Sequence, residues 1–117
     1  MIDILFALVL LQPPVTTAQQ FVWDQGASDL TTAQSYTYTL YLDGAATGAV
    51  LTPVSCVVKS PAVVGLFECS SAIPAITPGA HTATITARNI AAESAPSAAL
   101  AFTFVAVPSA PQNVRIR

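Results

Sequence analysis

The sequence predicts an all-β chain folded as an antiparallel β-sandwich, and three observations carry that prediction. After Pro78-Gly79, the polar residues Thr82, Thr84, Thr86 and Arg88 recur at every second position and alternate with His81, Ala83, Ile85 and Ala87. A period of two marks a strand with one wet face and one buried face. Tyr36 to Leu42 alternates as strictly, with Tyr36, Tyr38, Leu40 and Leu42 on one side, and it stops at Asp43-Gly44, a strong turn signal. Charged residues make up only 9% of the chain and nine prolines punctuate it. That balance favours strands joined by proline-marked turns over a helical bundle. With 117 residues, the chain fits one domain with enough buried surface to fold alone.

Taken in order, the chain opens on an apolar segment, residues 1–18. Its run Ile4, Leu5, Phe6, Ala7, Leu8, Val9, Leu10, Leu11 ends before Pro13-Pro14. The run is too short to span a bilayer, which needs about 20 residues, so no membrane span is expected. It has the length of a signal-peptide core, with Thr16-Thr17-Ala18 as a small-residue cleavage site, yet Asp3 leads it and no Lys or Arg does. Eight apolar residues also suit a buried strand. Both readings stay open, and in the second the run is a candidate assembly strand.

The sandwich is expected over 19–107. Phe21 to Trp23 reads as a short strand, Asp24 to Ser35 as a polar loop, and Ala49 to Thr52 as a short edge strand before Pro53. No ordinary first strand is visible before Trp23. Val54–Val58 and Gly65–Ser70 flank a turn region at Lys59 to Ala62. A hairpin centred between Ala62 and Val63 sets Cys56 opposite Cys69. Opposed residues at a non-hydrogen-bonded antiparallel position lie about 4.5 Å apart at Cα, within reach of a disulfide. Ile73 to Pro78 crosses to the strand after Gly79, and Leu100, Phe102 and Phe104 mark the last strand. Residues 108–117 read as a Pro-rich linker, stiff at Pro108 to Pro111, and a C-terminal strand. No internal repeat and no useful helix-period stretch is visible.

These elements together resemble a family. Pro78-Gly79, a ring residue at His81, Ala87, Asn89 and Glu93-Ser94-Ala95-Pro96-Ser97 resemble the last hairpin of a fibronectin type III domain. Trp23-Asp24 and Tyr36 to Gly44 resemble that family's Trp-bearing second strand and its third strand. The resemblance covers roughly residues 21 to 106. It implies a fibronectin type III or immunoglobulin-like sandwich in which His81 takes the place of a corner tyrosine, whose hydroxyl ties the two sheets. Gln112 to Arg117 looks like the first strand of a following domain of this kind.

Composition and spacing weigh against several chemistries. The net charge is −2, with only Lys59, Arg88, Arg115 and Arg117 basic, whereas phosphate-backbone binding needs clustered cations; no nucleic-acid partner is expected. One histidine and two cysteines that suit each other leave no zinc spacing, and no phosphate-cradling Gly-rich loop is present. Asp24, Asp29 and Asp43 lie in expected loops, but calcium needs six or more oxygens at one point. Glu68 and Glu93 have no motif around them that suggests glycoside hydrolysis. No cofactor, no metal and no enzymatic activity are expected.

What remains is a surface. Trp23, Tyr36 and Tyr38 are expected in the core, while Tyr41 falls on the opposite face of its strand. Tyr41 with the outward row Thr82, Thr84 and Thr86 is the candidate contact or O-glycosylation surface. The expected function is that of a non-enzymatic extracytoplasmic module for adhesion, ligand contact or assembly, extracellular or at the cell surface, with a protein or glycan ligand. The alternative is a structural subunit of a virion or an extracellular filament, displayed on the virion surface in the first case. It would polymerise with its own copies by insertion of the apolar N-terminal strand.

Overall fold

The computed structural model describes residues 14–117. Within them the order is β1 (Pro14–Val15), β2 (Gln20–Gly26), α1 (Leu30–Ser35), β3 (Thr37–Leu42), β4 (Ala49–Val50), β5 (Ser55–Val63), β6 (Leu66–Ala72), β7 (Gly79–Arg88) and β8 (Leu100–Phe104). The strands form two sheets. One has the order β1-β8-β7-β3-β4 and the other β2-β6-β5. Every pairing is antiparallel except that of β1, which runs parallel to β8. The all-β expectation holds.

Alternation explains the core. The buried apolar members of the smaller sheet are Phe21, Cys56, Phe67 and Cys69; those of the larger are Tyr38, Leu40, Ala83, Phe102 and Phe104. They meet between the sheets as one cluster. Phe21 packs edge-on against Phe102 with ring centroids 5.9 Å apart, and Trp23 tilts against Tyr38 at 5.0 Å. Burying such side chains stabilises the fold by about 1.5–3 kcal/mol each.

Four details depart from the expectations. Asp24 to Gly26 continue β2, and α1 replaces the rest of the expected loop. Asp29 starts this helix: its Oδ1 accepts from Thr32 N at 2.8 Å, which satisfies an otherwise unpaired first-turn N–H. Lys59 to Ala62 lie within β5, and the chain reverses at Val64-Gly65 instead. A bulge between Val58 and Val63 absorbs the difference, so Cys56 still stands opposite Cys69. Pro14 and Val15, placed by sequence in the N-terminal segment, pair with Thr103 and Phe104 and belong to the larger sheet. Two residues can add to an edge without any alternation to announce them.

The C-terminal strand expected within Gln112 to Arg117 does not form among the described residues. Val114 and Ile116 are exposed, and a strand is stable only beside another strand. The candidate assembly run, Ile4 to Leu11, lies outside the described residues.

Sheet edges are handled differently on the two sides of the smaller sheet. The outer edge of β5 is capped at its start by Gln34 of α1, which accepts from Cys56 N at 2.7 Å and donates to Val54 O at 2.6 Å. Among the described residues, β2 has β6 as its only strand neighbour.

Candidate functional site

The outer face of the larger sheet is built from hydroxyls. Thr39 stands opposite Thr86 and Tyr41 opposite Thr84, in the register that joins β3 to β7. Beyond β7 the chain does not leave this face. Ser94 and Ser97 dock beside β7 through paired bonds: Ser94 N donates to Ala87 O at 2.8 Å and Ala87 N to Ser94 Oγ at 2.9 Å. Ser97 N donates to Ile85 O and Ile85 N to Ser97 Oγ, each at 3.0 Å. The two serines supply the ladder partners that β8, paired with Gly79 to Ala83, does not reach.

That docking sets Glu93 over the sheet. Its Oε2 accepts from the Thr86 hydroxyl at 2.5 Å and from the Tyr41 hydroxyl at 2.7 Å, while Arg88 Nη2 lies 3.5 Å from Oε1. The bonds from Thr86 and Tyr41 hold the Glu93 carboxyl below its ordinary value, and the same bond pushes the Tyr41 phenol up. Beside this cluster runs a shallow groove of about 420 Å³, lined by Tyr41, Gly44, Ala45, Thr84, Glu93 and Pro96 among others. A half-exposed aromatic ring, hydroxyls and one carboxylate can stack and hydrogen-bond a sugar or a polar peptide.

The expected contact row needs a correction. Thr82 is exposed and Thr84 half-buried, but Thr86 is only 4% exposed. Strand alternation aims it outward as expected; Glu93, arriving from the connection to β8, then covers it. Tyr41 is half-buried, with its hydroxyl committed to Glu93.

The cysteines lie at the opposite pole of the chemistry. Cys56 and Cys69 are joined by a disulfide between neighbouring strands, with Cα atoms 4.0 Å apart. Tyr38 packs on it: its hydroxyl donates to Ala33 O at 2.7 Å and sits 3.7 Å from Cys69 Sγ. Burial, with Tyr36 nearby, pushes the Tyr38 phenol up to about 12.

His81 sits at the corner between the crossover and β7, with its side chain 12% exposed. Nε2 lies 2.6 Å from the carbonyl oxygen of Thr77, and Nδ1 lies 2.7 Å from Asp43 Oδ2. The other Asp43 oxygen accepts from Thr82 N at 2.9 Å. Among the described residues the three aspartates are apart in function: Asp43 holds the corner, Asp29 caps α1, and Asp24, in a strand rather than a loop, pairs with Lys59 at 2.8 Å. Among the described residues no three His, Cys, Asp or Glu gather as a metal site. No helix of these residues is long and apolar enough to cross a membrane. Glu68 and Glu93 stand on different sheets.

Comparison with family models, with curated proteins and with solved structures finds no match.

Glu93 and Asp43 hold contacts that strand alternation does not signal. No motif around Glu93 suggests a catalytic role, and its place over Thr86 and Tyr41 depends on Ser94 and Ser97, which dock on β7 from the connection to β8. The turn signal at Asp43-Gly44 places Asp43 in a loop; at φ 56 it adopts the left-handed conformation that Asp tolerates, which turns its carboxylate back onto β7.

Proposed function

We propose that this chain is a fibronectin type III or immunoglobulin-like sandwich acting as a non-enzymatic extracytoplasmic surface module, which engages a protein or glycan ligand for adhesion or assembly. The observation that carries this reading is the groove beside Tyr41, an open, weakly charged strip on a hydroxyl-lined sheet face. Uncharged hydroxyls can meet a polar ligand with little desolvation cost. The sheet orders and the tie of His81 to Thr77 support the family reading. The disulfide supports an oxidising compartment. Asp24, Asp29, Asp43, Glu93 and His81 are each bonded to a neighbouring element or cap a helix, which supports binding over catalysis. The test is retention on glycan and protein arrays: the parent binds, and Tyr41→Ala or Thr84→Lys loses binding with an unchanged circular dichroism spectrum. Equal retention by parent and both variants overturns the reading.

A second reading, the structural subunit of a virion or filament, is favoured by the flank of β2. Its outer side has no strand neighbour among the described residues. An edge strand of seven residues is a template for strand addition. In this reading Ile4 to Leu11 of a neighbouring copy fills it, and such a head-to-tail contact grows into a filament when it does not close. Deleting residues 1–12 then abolishes assembly in negative-stain images; an unchanged oligomeric state in a folded truncation sinks the idea.

A further inference from the structure

We propose that the corner formed by Thr77, His81 and Asp43 is a proton-operated latch, shut while the imidazole carries two protons and released when it gives one up. The argument is hydrogen-bond inventory. Nε2 faces a backbone carbonyl oxygen at 2.6 Å and Nδ1 faces a carboxylate oxygen at 2.7 Å. Both partners only accept, so both ring nitrogens must donate, and only the imidazolium has two N–H groups.

The neutral ring cannot keep both bonds. Asp43 is fixed as an acceptor on both oxygens, by the ring and by Thr82 N, so the Nδ1 proton stays and the Nε2 proton leaves. The bare Nε2 lone pair then faces the Thr77 carbonyl lone pairs, which repel it. One donor is within reach: the Thr77 hydroxyl, with Oγ1 3.3 Å from Nε2. Exchanging the carbonyl for the hydroxyl makes the Thr77 peptide withdraw.

That peptide belongs to the crossover between β6 and β7. Gly79 follows at φ +121, open to side-chain-free rotation, and pairs with Phe104, which in turn pairs with Val15 of β1. The latch therefore governs the pole where β1, β7 and β8 meet. The ring is faced by Asp43 from the β3–β4 turn, by Thr77 from the crossover and by the uncharged Phe102 ring of β8, 5.9 Å away. Asp43 is the charge among them. Consistent with this, the bond to Asp43, then the bond to the Thr77 carbonyl, raise the His81 value above its ordinary 6.5. A raised folded-state value means that the latch stabilises the fold fully below the ordinary value, and that this contribution is lost as pH rises through the raised one.

Nitrogen-15 NMR titration of the full chain tests it. The expected result is a ring with both nitrogens protonated at low pH, a midpoint above that of a free histidine, and backbone shifts at Thr77 and Gly79 that follow the same midpoint while Leu40 stays still. Asp43→Asn, tolerated at a left-handed position, lowers the midpoint. Thr77→Val removes the donor that serves the neutral ring and raises it. A midpoint at or below the ordinary value, a titration that leaves Thr77 and Gly79 unmoved, or a midpoint indifferent to Thr77→Val overturns the proposal.

Discussion

The side-chain amide of Gln34 stands in for a missing strand beside Cys56: Oε1 takes the Cys56 N–H at 2.7 Å, and Nε2 returns a proton to Val54 O at 2.6 Å. One residue of a short helix thus covers the start of the smaller sheet's edge, next to its disulfide.

Gln34→Ala opens that edge to water. Because the freed groups can be hydrated, the expected loss is about 0.5–1.5 kcal/mol in urea denaturation. Gln34→Glu keeps the acceptor for Cys56 N but sets a carboxylate oxygen against Val54 O, and is expected to cost at least as much as alanine.

Removing the disulfide costs more. Cys56 and Cys69 are 13 residues apart, and closing a loop of that size is worth about 3 kcal/mol on the chain-entropy model. A double Cys→Ala variant is expected to lower the denaturation free energy by about 2–4 kcal/mol. Free thiols in oxidised, purified parent would contradict the pairing.

Tyr38→Phe keeps the ring and deletes the bond to Ala33 O. A buried carbonyl loses its partner, so about 1–3 kcal/mol is expected. In alkaline absorbance titration one tyrosine resists ionisation until about pH 12, and that late step disappears in the variant.

Glu93 predicts behaviour in acid. Its folded-state value is depressed below the ordinary 4.5 by the Thr86 and Tyr41 hydroxyls. A depressed carboxyl gives stability that is present above the ordinary value and is lost as pH falls through the folded one. Melting temperature should therefore drop below pH 4.5 in the parent, and the drop should be smaller in Glu93→Gln, measured by calorimetry across that range.

Gly48 tests close packing. A Cβ there would lie 2.5 Å from Thr39 Cγ2 and 2.9 Å from Leu40 O, so β4 must move for any other residue to fit. Gly48→Ala is expected to cost about 1–3 kcal/mol and to weaken amide protection at Thr39 and Leu40.

Periodicity made most of the fold legible. β3, β7 and β8 each carry an alternating apolar face, and the opposed cysteines follow from the β5–β6 register. What it missed has physical causes. α1 is one short helix held by Asp29 and Gln34, and it has no apolar stripe to give it a helical period. The reversal at Val64-Gly65 was hidden because Ser60-Pro61 looks more like a turn than two valines and a glycine do. Thr86 shows the limit most clearly: alternation gave its direction correctly, but its burial comes from Glu93, whose placement depends on docking rather than on the strand.

The parallel pairing of β1 with β8 has a mechanical consequence. Among the described residues the sheet begins at Pro14 beside Thr103, and the chain leaves β8 after Phe104, where Val105 N still donates to Val15 O at 2.8 Å. Tension applied through these two points pulls neighbouring strands in opposite directions along their length. The bonds between them are then loaded together in shear instead of being peeled one after another, so this short seam would resist a stretching force before the rest of the sandwich felt it.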